Sequence, residues 1–434
     1  MSASAEQAAF EREFASILPR SSARDDRGRL TIGGCSLEDV ARAAGTPTMI
    51  ADEGELRTAA REYQRAFTSR WPASRVYFAS KAFSCSGVIR VFAEEGLGCD
   101  VASAGELAVA LAGGMPADRI LLHGNAKRDV DLAAALNAGV GLIVVDSLDE
   151  LDRLERLATR RQRLLLRANP AVAASTHEAM ATGHSASKFG LPPEQLREAA
   201  RRIAASRVLE LDGIHAHIGS QIVELEPFER CVEALAGLVD LRELATVDLG
   251  GGLGVRYTPD EPEPPRVEDY AGSLIGAARR LLPEGCRIIV EPGRSLVARA
   301  MVTVYRVVSV KRAGRTFVAV DGGMGDNLEP MMYGTRFSPF ALDAQRPLEP
   351  CDVVGPHCET GDRLVEHAPL AAPAVGDAIV VPMTGAYCYA LANNYNGSCR
   401  PPVVLCHEGR ARIVQRRERI EDLLARDCEL ELEL

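Results

Sequence analysis

A lysine at the end of an apolar strand is the first residue in this chain whose setting suggests chemistry. Val76-Tyr-Phe-Ala-Ser-Lys-Ala82 is a run of strand-forming residues that stops at Lys81. A strand apolar on both faces belongs inside a parallel sheet, so its carboxyl end is the mouth of a buried core. Desolvation there lowers an amine pKa, and an unprotonated amine can condense with a carbonyl. Two glycine turns could accompany it. Asp248-Leu-Gly-Gly-Gly-Leu-Gly254 ends one apolar run and Glu291-Pro-Gly-Arg-Ser295 ends another. Consecutive glycines turn backbone N–H groups toward an anion, and the second turn adds a carboxylate and a fixed cation. Neither turn is a GxGxxG followed by an acid on the next strand, so a dinucleotide fingerprint is not supported.

His215-Ala-His217-Ile-Gly-Ser220 sets two imidazoles on one side of a strand, by its period of two. No third ligand follows at a useful spacing, and His177-Glu178 followed by His184 is not HExxH, so no metal is expected. A flat imidazole beside a phosphate-binding serine suits a stacked aromatic cofactor better. Lysine, phosphate-binding turns, a carboxylate and a stacking histidine together specify pyridoxal 5'-phosphate. The lysine binds it covalently, the glycine turns hold its phosphate, and the carboxylate keeps the pyridine nitrogen protonated.

The elements that must position these residues follow a rhythm. Eight short apolar runs begin at Val76, Gly98, Arg119, Gly141, Arg163, Leu209, Thr246 and Arg287, with helical patterns between them. Eight strands alternating with helices predict an α/β fold of the (β/α)8 barrel type, with a doubly wound open sheet as the alternative. Distinctive residues gather at the carboxyl ends: Lys81, Asp100 and Ser103, His123, Asp146, Arg167, His217, Gly250 to Gly252, and Glu291. Barrel active sites are built at that face. Past residue 300 the runs Val302–Val310, Thr316–Val320 and Ala378–Val381 are β-branched and lack long helices, which predicts a separate β-sandwich or barrel-like domain. Cys358-Glu-Thr-Gly-Asp362 and Gly385-Ala-Tyr387 lie within it. The expected division is 1–45 as an N-terminal segment packing with the β-domain, 46–299 as the barrel and 300–434 as the β-domain. Leu30–Ile32 reads as a short strand, and Ser36 as the N-cap of a helix reaching Ala44.

Composition narrows the function classes. With 434 residues, 47% hydrophobic and 25% charged, the chain is long enough for two or three domains of a soluble protein. A net charge of −10 argues against nucleic acid or an anionic membrane as partner. No apolar run approaches the roughly 20 residues that span a bilayer. The start (Glu6, Glu11, Glu13) is acidic where a secretory peptide would be basic. Eleven cysteines without a CxxC pair suggest neither a disulfide framework nor a zinc ribbon, and a reduced cytoplasm fits best.

From about Thr46 to Asp427 the sequence resembles the diaminopimelate decarboxylases, in the fold-type III group of pyridoxal-phosphate enzymes that also holds ornithine and arginine decarboxylases. The motifs that carry the resemblance are FASKAF, GCDVASAGEL, HGNAK, SKFGL, HAHIGSQI, DLGGGLGVRY, EPGRS, DGGMGDN, YGTRF, GPHCETGD and GAYCYALANNYN. The resemblance implies that Lys81 carries the cofactor, His217 stacks on its ring and Glu291 pairs with its pyridine nitrogen. It implies that Asp100, Ser220, Gly251, Gly252, Gly293, Arg294 and Tyr387 surround the cofactor. It implies a head-to-tail homodimer in which Cys358 enters the other subunit's site as proton donor. Glu359 would meet the distal ammonium of an amino-acid substrate, and Arg294 and Tyr333 its distal carboxylate, with Tyr387 nearby. One departure stands out: the family usually has Arg-Pro a few residues before that tyrosine, and this chain has Glu329-Pro330. The resemblance implies meso-diaminopimelate as substrate, whereas an anion at Glu329 predicts preference for a distal cation over a distal carboxylate, as in a D-lysine- or D-ornithine-like diamino acid or an amino acid of specialised metabolism. A racemase of the alanine type would pair the pyridine nitrogen with arginine, which Glu291 opposes. A non-catalytic homologue on the same scaffold is the remaining class, and it would keep the colour of the bound cofactor without releasing carbon dioxide.

Overall fold

The computed structural model describes residues 13–172, 187–342 and 346–432. His177, Glu178 and His184 lie outside the described residues. The chain forms two compact units. One comprises the residues up to Glu55, Tyr257–Glu261 and those from Arg299 onward; the other comprises Leu56–Arg256 and Pro262–Ala298.

The second of these units is a closed barrel of eight strands in sequence order: Arg75–Ala79, Gly98–Val101, Ile120–Leu122, Leu142–Val145, Gln162–Arg167, Leu209–His215, Thr246–Asp248 and Arg287–Val290. Every neighbouring pair is parallel, and Arg287–Val290 closes on Arg75–Ala79. The strands are rich in Val, Ile and Leu because both faces are covered: Tyr77, Leu121, Leu142, Val144, Leu165 and Ile289 form a buried cluster. Serines end the strand-to-helix turns. Ser103 Oγ accepts the Glu106 N–H at the start of Ala104–Ala112, and Ser147 Oγ accepts the Glu150 N–H at the start of Leu148–Leu157. The helix Glu226–Leu238 follows the sixth strand. Asp240 accepts the Arg242 N–H and starts a separate turn, Leu241–Glu243.

The other unit is built on a nine-stranded sheet around the long strand Met301–Ala313, which pairs with Thr48–Asp52, Arg315–Val320 and Ala378–Pro382. A three-stranded sheet, Ala23–Arg24, Leu30–Ile32 and Cys35–Ser36, precedes the helix Leu37–Ala44, whose N-cap is Ser36. Thr48–Asp52 corrects the expected start of the barrel at residue 46. Five buried residues in a row resemble a barrel strand, but Ile50 pairs with Val302 and with Val404. Only pairing partners, which one strand's composition does not encode, could separate the two cases.

Gly213 shows how tightly the barrel closes. The pairing register shifts between Leu211 and Gly213, and a Cβ on Gly213 would stand 1.7 Å from the Thr246 carbonyl oxygen. Gly237, in the helix Glu226–Leu238, has nothing within 4 Å of the same position. Gly213→Ala is expected to lower unfolding free energy by about 3 kcal/mol or more, and Gly237→Ala to raise it by about 0.5–1 kcal/mol. Denaturant midpoints of the two variants measure both, and equal midpoints would refute the close approach.

Candidate active site

The carboxyl end of the eighth strand delivers Glu291 into the barrel mouth with 6% of its surface exposed. Two imidazoles from other strands reach it. His123, after the third strand, has Nε2 2.5 Å from Glu291 Oε1; His215, ending the sixth, has Nε2 3.4 Å from Oε2. The two rings meet edge to face at 4.5 Å. Burial alone would raise the Glu291 pKa, but His123 and His215 hold it well below the usual carboxylate range. Burial in turn lowers His123 and pushes His215 down to about 3. Two further acids share the site. Burial, then repulsion from Glu291, raises Asp248 and Asp100 well above their ordinary values.

The seventh strand ends in the glycine turn. Gly250 has φ +64°, and a Cβ there would stand 2.7 Å from His217 Nδ1; one on Gly251 would stand 2.1 Å from the Glu291 carbonyl oxygen. Side chains are excluded because the ends of strands six, seven and eight converge. The same turn fixes His217: the Gly251 N–H donates to its Nδ1 at 3.2 Å, so Nε2 carries the proton of the neutral ring. Burial, then the charges of Lys81 and Arg167, keep His217 far below its ordinary pKa. Arg294 is buried, and its Nε donates to Ser220 Oγ at 3.3 Å. Gly293 precedes Arg294 and lies against the Ala79 and Ala82 side chains that flank Lys81. Further round the mouth, Arg167 Nη1 pairs with Asp146 at 3.2 Å and lies over the Phe189 ring at 4.2 Å.

Lys81, Asp100, His217, Ser220, Gly251, Gly252, Glu291, Gly293 and Arg294 therefore come from one barrel rim. Lys81 differs from expectation in one respect: it is exposed. It sits in the short turn Ser80–Ala82, whose first and last residues are buried while the middle one points out. Among the described residues, potential ligand atoms within 4.8 Å of one another belong to His123, His215, Asp248 and Glu291, without His217. His123, His215, Asp248 and Lys127 were not among the predicted site residues. Position at a strand end marked His123, but nothing in the sequence pairs it with Glu291, 168 residues later.

The remaining predicted residues belong to the β-unit. Cys358 and Glu359 are exposed on a loop braced from below. The Cys358 N–H donates to Asn396 Oδ1 at 2.9 Å and the Tyr395 hydroxyl to Glu359 Oε1 at 2.7 Å. Buried His357 holds Asp362 through Nδ1 at 2.8 Å. Tyr387 is half-buried with φ +61°. Tyr333 ends the short helix Glu329–Tyr333 and is half-buried. Glu329 requires a correction. It has no exposed surface, and its Oε2 accepts the Thr335 hydroxyl at 2.5 Å. The side chain expected at the far end of a substrate is used inside its own unit. Arg336 donates to Asp260 at 3.0 Å and lines a cleft of about 860 Å³ in this unit.

Residues 53–298 match the family described as pyridoxal-dependent decarboxylase, pyridoxal binding domain. The chain is 44% identical over 418 residues to a diaminopimelate decarboxylase of Actinosynnema pretiosum subsp. auranticum, covering 93% of this chain and 94% of that protein. Among solved structures, it is similar to diaminopimelate decarboxylase from Helicobacter pylori complexed with L-lysine (TM-score 0.83, 31% identity, covering 89% of this chain and 98% of that one). It is also similar to the M. jannaschii diaminopimelate decarboxylase in co-complex with L-lysine (TM-score 0.87, 29% identity, covering 95% and 99%).

The depressed pKa of His215 makes a signed prediction. Between about pH 6.5 and the folded value of about 3, the unfolded chain takes up a proton that the folded barrel refuses. Stability from this residue is complete above that window and is lost as pH falls through it. His215→Gln removes the effect. The difference in unfolding free energy between parent and variant should therefore shrink on acidification, by at most about 1.4 kcal/mol per pH unit. Parallel pH–stability curves would contradict it.

Proposed function

Because the chain belongs to the diaminopimelate decarboxylase family of pyridoxal-dependent decarboxylases, we propose that it converts meso-diaminopimelate to L-lysine and carbon dioxide. The observation that carries the reading is the buried Glu291 carboxylate beside the glycine turn. Its site fits pyridoxal phosphate: both His215 ring nitrogens and Asp248 Oδ2 are buried without a hydrogen-bond partner, and no side chain can stand at Gly250 or Gly251. Lysine in the two related structures named above supports lysine as product. A distal cation in place of a carboxylate loses its basis, because Glu329 is turned inward.

Lys81 Nζ would hold the cofactor covalently, and Gly251, Gly252, Gly293, Arg294, Ser220 and Tyr387 would hold its phosphate. When bound, pyridoxal phosphate supplies the sink for the electron pair left as the Cα–carboxylate bond breaks. Glu291 would accept the pyridine N–H, and an anion there would keep that nitrogen protonated. His217, its Nδ1 tied to the Gly251 N–H, keeps its ring in one plane for stacking. Asp100 adds a carboxyl group raised by burial and by Glu291 on the same rim. Cys358 Sγ would give a proton to the α-carbon, and Glu359 would meet the distal ammonium. Arg294 and Tyr333 meet the distal carboxylate. Because Cys358 is exposed on its own chain, we place it in the site of a second copy, in a head-to-tail homodimer. Eleven unpaired cysteines suit a cytoplasmic enzyme; no described helix is long and apolar enough to cross a membrane.

Lys81→Ala should abolish both the visible absorbance of the bound cofactor and lysine formation, and full turnover by this variant would refute the assignment. Lys81→Ala and Cys358→Ala proteins should each be nearly inactive alone. Mixed in equal amounts with verified subunit exchange, they should regain up to about a quarter of parental activity, from heterodimers with one intact site. No recovery would contradict the shared site.

A further inference from the structure

The lysine of the motif HGNAK forms, with Glu150, a buried ion pair to which neither catalysis nor cofactor binding assigns a part. The side chains of Lys127 and Glu150 have no exposed surface, and Nζ lies 2.9 Å from Glu150 Oε1. The ammonium also donates to the carbonyl oxygens of Gly124 at 2.5 Å and Val144 at 2.7 Å. Two of its protons go to these carbonyls, and the carboxylate faces it at ion-pair distance with both oxygens otherwise without a hydrogen-bond partner. Burial pushes the lysine's pKa down and the glutamate's up, which is the cost of taking both charges out of water. An apolar pair of similar volume is commonly as stable or more so, so stability does not account for Lys127 and Glu150.

Geometry does. Gly124, left-handed at φ +115°, immediately follows His123. The bond from Nζ to the Gly124 carbonyl closes the loop 123–127 on itself. The bond to Val144 ties it to the fourth strand, and Glu150 ties it to the first turn of Leu148–Leu157. Arg153 donates to the Lys127 carbonyl from the same helix. At the other end of this loop the His123 N–H donates to the Val101 carbonyl at 2.7 Å. Held at both ends, His123 puts Nε2 2.5 Å from Glu291 Oε1.

We propose that Lys127 and Glu150 are positioning residues, which set the loop that holds His123 against Glu291. The inference rests on the reading of Glu291 as the partner of the pyridine nitrogen. Its direct prediction is that stability and catalysis can be separated. Lys127→Met alone leaves a buried unpaired carboxylate; Lys127→Met with Glu150→Leu removes both charges.

In the full-length enzyme the double variant is expected to regain the parental unfolding midpoint. Its kcat should still fall about tenfold or more, with KM within about twofold. Glu150→Gln, which keeps an acceptor for Nζ, should stay within about threefold of the parental kcat. A readout independent of turnover is the ring ¹⁵N signal of His123 in histidine-labelled, cofactor-free protein, assigned with His123→Asn. That signal should move in the double variant and hold its position in Glu150→Gln. A double variant with parental stability, parental kcat and an unmoved His123 signal overturns the proposal. If the double variant does not fold, Lys127→Met with Glu150→Gln, which also leaves no buried charge, is read by the same criteria. Glu291→Gln separates the two levels. Parental kcat in that variant refutes the reading of Glu291, whereas its loss, with kcat and the His123 signal unmoved in the double variant, refutes only the positioning role.

Discussion

A carboxylate kept ionised without solvent is the constraint on which the barrel's chemistry depends. Glu291 is almost fully buried, and an isolated carboxylate in such a place would take up a proton. The imidazoles of His123 and His215 oppose this, and each comes from a different strand end. Repulsion from the same charge raises Asp100 and Asp248, so one ionised group and two reluctant ones share the floor of the site. That ordering is what a protonated pyridine nitrogen requires. It also explains the glycines: an imidazole and three strand ends crowd the turn, and a side chain at Gly250 or Gly251 would collide with His217 or the Glu291 backbone.

A closed parallel barrel is the scaffold that permits this. Strand ends remote in sequence become neighbours around one rim, and the Ser103 and Ser147 caps turn the chain sharply into each following helix. The rim was legible in the sequence because a parallel barrel writes its strands as short apolar runs and puts polar residues where they end. Lys81, His217 and Glu291 were found that way. The pairing of His123 and His215 with Glu291 was not, because strand-end position says which residues share a rim but not which side chains touch. Lys127 was hidden for the opposite reason. A lysine in a polar loop reads as solvated, and only the fold shows that three acceptors enclose it.

The β-unit was less legible. Its strands lack a strict alternation with helices, so Thr48–Asp52 could be assigned to the barrel until its partners Val302 and Val404 were known. Glu329 illustrates a second limit. Alignment with a family motif places a residue in the chain but not the direction of its side chain, and here Thr335, six residues on, draws the carboxylate inward. Cys358 and Glu359, by contrast, are exposed yet held by Asn396 and Tyr395.

The central claim is that Glu291 is an anion in the folded barrel. Isotope-edited infrared spectra of protein carrying ¹³C at the glutamate side-chain carboxyl, with Glu291→Gln as the subtraction, measure this directly. Ionisation held by His123 and His215 predicts that the carboxylate band assigned to Glu291 stays at full intensity from about pH 8 to about pH 5, just above ordinary carboxyl values. A protonated-acid band assigned to Glu291 anywhere in that window would contradict the account.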